Sequence, residues 1–443
     1  MNKLLIISSV LTAFAVMLFT FPDGVTGILV VIITSLAVVA VLRKVDKEND
    51  FLVNIFFIAL IARILFGVII HIFDMRDFFG ADAETYDFLG NRLVEIWTGQ
   101  ISASDFLSQR ALATSGPGWG MNYLTGFIYL IVGHNVLAAQ FFCAVVGAAT
   151  APLVYICSHK IFQNNRVGKI SAIQVALFPG FIIWSSQLLK DGLIIFLLVL
   201  SVTMVLHLQK KISYPAVGIL ILSLFGILSL RFYIFYMVAI AVAGSFIIGA
   251  SGSVKSIVRG FIALIIVGGA MAYLGILQNA GNEFEKYGSL ERVQISRQDL
   301  ARSAESGFGE NTDVSTTGGA ISALPVGFLY LMFAPFPWQV SNFRQAITLP
   351  EMMVWWSMIP LLLSGLWYTI KNRLRNSISI LIFTLLLTLA YSIFQGNVGT
   401  AYRQRAQIQV FLFIFIAVGW TLWQEKKENR NIMRRKTLVG SNF

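Results

Sequence analysis

The chain is short of charge. Only 12% of its 443 residues are Asp, Glu, Lys or Arg, about half the share found in soluble globular proteins. That excludes a water-soluble enzyme of ordinary type. It also excludes a disordered chain, which carries more charge and less apolar surface. Cysteine is scarcer still: Cys143 and Cys157 are the two present. On one helix they would lie about 21 Å apart along the axis, so they cannot pair there, and a disulfide scaffold is excluded. The four histidines, His71, His134, His159 and His207, are scattered and form no metal pattern. What the chain has is apolar residues, 57% of the total. A helical membrane protein is the class that fits.

Apolar stretches of spanning length fall at 4–20, 27–42, 51–73, 136–157, 170–189, 192–208, 216–230, 232–248, 257–277, 352–370, 378–394 and 410–423. Two more, 120–133 and 321–340, are shorter or broken by proline. The expected fold is all-α, a polytopic transmembrane helical bundle of roughly 11–14 spans. It reads as one membrane domain over 1–443 without internal repeats. The first twenty residues lack a small-residue cleavage site and read as a first membrane helix rather than a signal peptide.

The net charge is +11, from 33 bases against 22 acids. In a soluble protein this would raise nucleic acid as a partner. In a membrane protein it is what Lys and Arg in cytoplasmic turns produce, and no nucleic-acid partner is expected. The segments 74–117 and 279–320 hold 14 of the 22 acids and 7 of the 33 bases. They are net −7 and the remainder is +18, so they read as two outer loops. The basic turns at 43–47, 159–169, 210–211, 255–259, 371–375 and 434–436 read as cytoplasmic. Crossing parity then leaves one crossing for the pair 120–133 and 136–157, and one for the pair 321–340 and 352–370. One member of each pair is expected to be re-entrant or interfacial; 321–340, with Pro325, Pro335 and Pro337, is that member in the second pair. Irregular backbone at membrane depth survives only inside protein or beside a wet cavity, which points to a cavity on the outer side. Segment 279–320, rich in Gly, Ser and Thr, reads as a mobile loop or lid.

Few residues remain to carry chemistry. Asp82, in Gly80-Ala81-Asp82-Ala83-Glu84-Thr85-Tyr86, directly follows a span and so lies near the bilayer surface. If the segment is helical from Glu84, then Ala83, Tyr86 and Gly90 share a face and Asp82 sits at or near the N-cap, held by backbone N–H groups. A carboxylate held this way suits a general base; the other reading is an ordinary cap in a solvated loop. Lys190 and Asp191 fall at the outer face, either as an ion pair ending a hairpin or as a phosphate-binding lysine beside an orienting acid. Arg403 and Arg405 follow Gly396, Asn397 and Gly399 at the outer end of 378–394, against the positive-inside rule. Both are expected to reach a phosphate, which guanidinium matches in a bidentate way, unless they anchor anionic headgroups. Arg231 ends 216–230 on the same side. Arg63, inside 51–73, either snorkels or contributes to an inner cavity.

Three of these strings carry a resemblance. Asp82-Ala83-x-x-Tyr86, opening the first large outer loop after an N-terminal span, resembles the GT-C superfamily of membrane glycosyltransferases, which use polyprenyl-phosphate-linked sugars. The segment from Ala176 through Pro179 to Asp191 and Gly192 resembles the proline-containing span of that family that ends in an acid. Asn397-Val398-Gly399-Thr400-Ala401-Tyr402-Arg403-Gln404-Arg405 resembles membrane proteins of bacterial exopolysaccharide gene clusters, transferases and polymerases alike. The resemblance implies a GT-C-like, inverting sugar transfer at the outer face of a bacterial plasma membrane. Asp82 would be the catalytic base. Arg403, Arg405, Lys190 and Arg231 would bind the donor phosphate. Glu84, Tyr86, Asp191 and Asn397 would orient the acceptor. The partners are a polyprenyl-linked sugar, a glycan, lipid or protein acceptor of the cell surface, and membrane lipid. A divalent metal stays open: the family often has a second acid beside the first, whereas Ala81 and Ala83 flank Asp82, leaving Glu84 and Asp77 as substitutes. Pro335-Phe336-Pro337-Trp338, with Asn342 and Arg344, suits a groove for a polyprenyl tail or a sugar face, or equally an interfacial tryptophan belt. A polymerase joining lipid-linked repeat units is the nearest alternative, and a transporter of lipid-linked oligosaccharide the next.

Overall fold

The computed structural model describes residues 3–46, 50–248, 254–302, 306–340 and 342–440; Lys47, in the first basic turn, lies outside them. The helices run in order: α1 (Lys3–Phe19), α2 (Asp23–Val45), α3 (Asp50–Ile72), α4 (Arg76–Gly80), α5 (Asp82–Trp97), α6 (Phe106–Leu112), α7 (Trp119–Val132), α8 (Val136–Phe162), α9 (Asn165–Leu177) and α10 (Pro179–Ser185). Then follow α11 (Lys190–Lys210), α12 (Tyr214–Leu230), α13 (Phe232–Ile248), α14 (Val254–Tyr273), α15 (Ile276–Tyr287), α16 (Leu290–Arg302), α17 (Thr317–Phe333), α18 (Phe343–Ser357), α19 (Ile359–Phe394) and α20 (Val398–Gly440). Among the described residues the only β pairing is an isolated bridge between Gly307 and Asn397. The all-α polytopic bundle read from the apolar pattern is the fold.

Six helices, α2, α3, α8, α11, α19 and α20, are long and apolar enough to cross a bilayer. Two bent pairs, α9 with α10 at 56° and the apolar part of α14 with α15 at 76°, bring the number to eight if each is one span. Five further apolar helices, α1, α7, α12, α13 and α17, have 14 to 17 residues. The multi-pass membrane character is plain. The boundaries differ from the sequence pattern in five places. Stretch 170–189 is not one straight helix, because it bends at Pro179. Stretch 257–277 breaks at Gly275, whose φ of 71° favours glycine. Stretch 352–370 divides between α18 and α19 at Met358. Segment 279–320 is largely helix, forming most of α15 and all of α16, rather than an open loop. The turn expected at 371–375 is a single departure from helical angles within α19, at Arg373 (φ −136°, ψ 21°).

Two helices form the centre. Helix α8 packs against α2, α3, α9 and α11, and α20 against α9, α17 and α19. The run 404–419 of α20 is buried at every residue, so it is covered on all sides. Small residues let the backbones close up. A Cβ on Gly147 of α8 or on Gly192 of α11 would collide with Cβ of Ser185.

The breaks in the helices have a recurring remedy. Pro179 has no N–H to give the Val175 carbonyl four residues earlier, and the bend there strands Ala176 as well. Arg63 of α3, 1% exposed, donates to Val175 O (3.3 Å), Ala176 O (3.1 Å) and Ser185 Oγ (2.7 Å). Arg63 therefore neither snorkels nor lines an inner cavity. Pro335 likewise leaves Leu331 without its donor, and Arg405 supplies one through Nε at 2.5 Å, with a second bond to Ala334 O. At the end of α19, Arg297 donates to Ile393 O (2.8 Å) and Gln395 O (2.7 Å). In each case a guanidinium meets the unsatisfied, partially negative carbonyls of a helix C-terminus.

Candidate functional site

Four buried or largely buried charged side chains, Lys190, Asp191, Arg231 and Arg403, converge at one end of the bundle, where α11 and α20 begin and α12 finishes. Basic residues mark the other end: Arg43 and Lys44 close α2, Lys160 closes α8 and Lys210 closes α11.

Asp191 is the centre of the cluster. It lies in the first turn of α11, where a carboxylate is favoured by the helix dipole, and its side chain is 0% exposed. Its Oδ2 accepts from Arg403 Nε at 2.7 Å and lies 2.6 Å from Arg403 Nη2. Its Oδ1 lies 3.3 Å from Arg231 Nη2. Arg231 is the residue that closes α12, a position that favours a cation. Arg403, in the second turn of α20, then reaches outward: Nη1 is 3.0 Å from Asp82 Oδ2. Asp82 is half exposed, at 49% of its side chain. The arrangement runs from an enclosed carboxylate, through a shared guanidinium, to a carboxylate at the surface.

Aromatic rings wall the cluster. The Arg403 guanidinium lies 5.5 Å from the Trp184 ring centroid, Arg231 lies 5.9 Å from that of Tyr233, and Lys190 Nζ lies 5.6 Å from that of Tyr86. Burial, with Asp82 nearby, raises the Tyr86 hydroxyl above its ordinary value, so it stays a hydrogen-bond donor. Three cations, Lys190, Arg231 and Arg403, face two carboxylates, leaving a formal excess of one positive charge.

The sequence-derived candidates divide accordingly. Asp82, Tyr86, Lys190, Asp191, Arg231 and Arg403 come together. Ala83, Tyr86 and Gly90 do share the buried face of α5. Asp82, however, is the first residue of α5 and not its cap; Ala81 precedes it and no side chain caps the helix. Its position is set by Arg403, not by backbone N–H groups. Lys190 and Asp191 are not paired with each other. Asp191 is enclosed and holds two arginines, Arg231 and Arg403. Glu84 is exposed on α5. Arg405 is not in the cluster: residues two apart on a helix point to opposite faces, and Arg405 is spent on Leu331 and Ala334. Asn397 is not in it either. Its Oδ1 accepts from Gly399 N and Ser306 Oγ, both at 2.8 Å, and pins the start of α20 to the segment around Gly307. In the 335–344 region, Phe336 and Trp338 stack at 5.2 Å, Asn342 caps α18, and Arg344 lies over Phe78 at 4.9 Å.

Two buried acids escaped the sequence reading. Glu351, 7% exposed, accepts from Tyr402 Oη at 2.6 Å, one residue from Arg403. Burial raises its carboxyl to about 7. The available signal was that it is the one acid between Asp313 and Glu425. Glu283 of α15, 4% exposed, accepts from Gly116 N at 2.8 Å; its polar surroundings in sequence gave no sign of burial. Among the described residues no three His, Cys, Asp or Glu side chains are grouped to hold a metal ion, and Asp82 and Asp191 face a guanidinium rather than each other.

No family model matches the chain. No curated protein matches it either.

Proposed function

We propose that the chain is a membrane glycosyltransferase that moves a sugar from a polyprenyl-phosphate-linked donor to a cell-surface acceptor at the outer face of a bacterial plasma membrane. The observation that carries this reading is Arg403 bridging exposed Asp82 and enclosed Asp191, with two further cations beside it, in an otherwise apolar bundle. In the proposed reaction Asp82 takes the proton of the acceptor hydroxyl. The hydroxyl oxygen attacks the anomeric carbon, and the bond from that carbon to the phosphate oxygen breaks with inversion. The cations beside Asp82 offset the charge that develops on the departing phosphate.

The test is transfer of labelled sugar from a polyprenyl-phosphate donor by purified protein. Asp82→Asn is expected to lower transfer by about 10²–10⁴-fold, the usual worth of a general base, with the fold retained. Full activity of that variant would sink the assignment. A polymerase of lipid-linked repeat units is the second reading, favoured by the convergence of two arginines, Arg231 and Arg403, on one carboxylate. It gains if Arg403→Ala abolishes activity, Asp82→Ala does not, and the product is a ladder of repeats.

A further inference from the structure

The three cations of the cluster are not equivalent. Arg403 is engaged by both carboxylates, and Arg231 is paired with Asp191. Lys190 is 8% exposed, yet among the described residues it has no ion-pair or hydrogen-bond partner. It carries the cluster's excess charge.

Its ammonium is aimed at Gly118. A Cβ on Gly118 would lie 2.9 Å from Lys190 Nζ and 3.1 Å from Tyr86 Oη. Gly118 has φ of +84° and immediately precedes α7, a helix of 14 residues that no side chain caps. The first N–H groups of a helix carry partial positive charge; that of Met121 donates to Gly118 O at 3.0 Å, which leaves those of Trp119 and Gly120. On the other flank of the same turn, a Cβ on Gly120 would collide with Ser229 Oγ, two residues before Arg231. The start of α7 is therefore wedged between Lys190 and the end of α12. The approach to it is fixed from outside the cluster: Glu283 accepts the Gly116 N–H, and Asn279 Nδ2 reaches Thr114 O at 3.5 Å.

We infer that Lys190 Nζ, Tyr86 Oη and the backbone N–H groups at the start of α7 form the seat of a phosphate or pyrophosphate group. Arg231 and Arg403 supply surrounding positive charge without being its ligands. This deepens the transfer reading and rests on it for the ligand class. The seat differs from the one expected from Arg403 and Arg405, because those two side chains are already committed to carboxylates and to carbonyls. Gly118 is required twice: for its left-handed backbone, and because a Cβ there would press on Lys190 Nζ and Tyr86 Oη and displace them.

The experiment reads binding without turnover. Full-length protein in detergent micelles is titrated calorimetrically with inorganic pyrophosphate and, separately, with a short-chain polyprenyl monophosphate. Wild type is expected to bind. Lys190→Gln is expected to weaken binding by about tenfold or more, the loss of one charge-assisted hydrogen bond. Lys190→Arg retains most of the affinity, Gly118→Ala loses it, and Lys211→Gln at the far end of α11 leaves it unchanged. Tighter binding of the lipid than of pyrophosphate supports the seat as a lipid headgroup site; equal binding supports it as a site for a soluble phosphate. Binding of neither by wild type, or unchanged binding in Lys190→Gln, overturns the proposal. Should Lys190→Gln fail to fold, unchanged affinity in Gly118→Ala overturns it instead. A protein that binds pyrophosphate through Lys190 but transfers no sugar overturns the transfer reading and leaves the seat standing.

Discussion

Replacing Asp191 by Asn removes the carboxylate shared by two buried arginines, while replacing Asp82 by Asn removes one at the surface. The two changes are chemically identical and touch the same guanidinium, so the contrast reads burial together with Asp191's second partner, Arg231. Asp191 is 0% exposed, and its partners Arg403 and Arg231 are 14% and 7% exposed. Breaking a buried pair from one side leaves uncompensated charge and costs about 3–5 kcal/mol. Asp82 is half exposed, and an ion pair of that kind contributes about 0–1 kcal/mol. Asp191→Asn should therefore unfold at markedly lower temperature or denaturant in micelles, with reduced yield. Asp82→Asn should match wild type in stability while losing transfer. A double-mutant cycle with Arg403→Gln sharpens the test: the coupling of Arg403 to Asp191 should exceed its coupling to Asp82 by about 2 kcal/mol or more. Equal stabilities of the two variants, or equal couplings, would refute the enclosed-to-exposed reading of the cluster.

Other outcomes follow from the same geometry. Arg405→Met should destabilise by about 1–3 kcal/mol for each carbonyl left without a donor, while the protein that does fold keeps its activity per molecule; Arg403→Met should abolish activity, and comparison of specific activity with thermal midpoint separates them. Arg63→Leu should lower stability in the same way by releasing Val175 and Ala176, again measured by thermal unfolding in micelles. Gly147→Ala adds a methyl group where Ser185 already sits, and overpacking of this kind costs about 1–3 kcal/mol, readable as a lower midpoint. Glu351, on α18 outside the spanning helices, has its carboxyl raised by burial from an ordinary 4.5 to about 7. The folded chain then holds this proton more tightly than the unfolded one, so its contribution is full below about pH 4.5 and falls as pH rises towards 7. Glu351→Gln should flatten that part of a stability-versus-pH curve; an unchanged slope would show that the carboxyl titrates normally.

Much of the fold was legible because membrane insertion leaves strong marks. Scarce charge and long apolar stretches specify helices, since a bilayer leaves backbone groups no other partner. Pro335 marks the break in 321–340, since it removes a donor that the helix needs; Pro179 does the same inside 170–189, a stretch that read as a single span. The scarcity of charge also made most of the cluster findable: Asp82, Lys190, Asp191, Arg231 and Arg403 stand out against apolar neighbours. The segment 279–320 was harder, because Gly, Ser and Thr read as loop while α15 and α16 are held by tertiary contacts such as those of Glu283 and Arg297.

What the sequence determined by itself was therefore the class of fold, and which ionisable groups were available for chemistry. Which of them are free for it was decided only by the tertiary structure. Arg403 and Arg405 are equivalent as text and opposite in fact, since α20 starts at Val398 and puts them on different faces. Asp191 meets Arg403 across 212 residues of chain, and no local pattern encodes that meeting. Lys190 is left without a carboxylate because its neighbour Asp191 is taken by two arginines from elsewhere. Pairing of charges depends on distance and burial, and both are set by how distant helices pack.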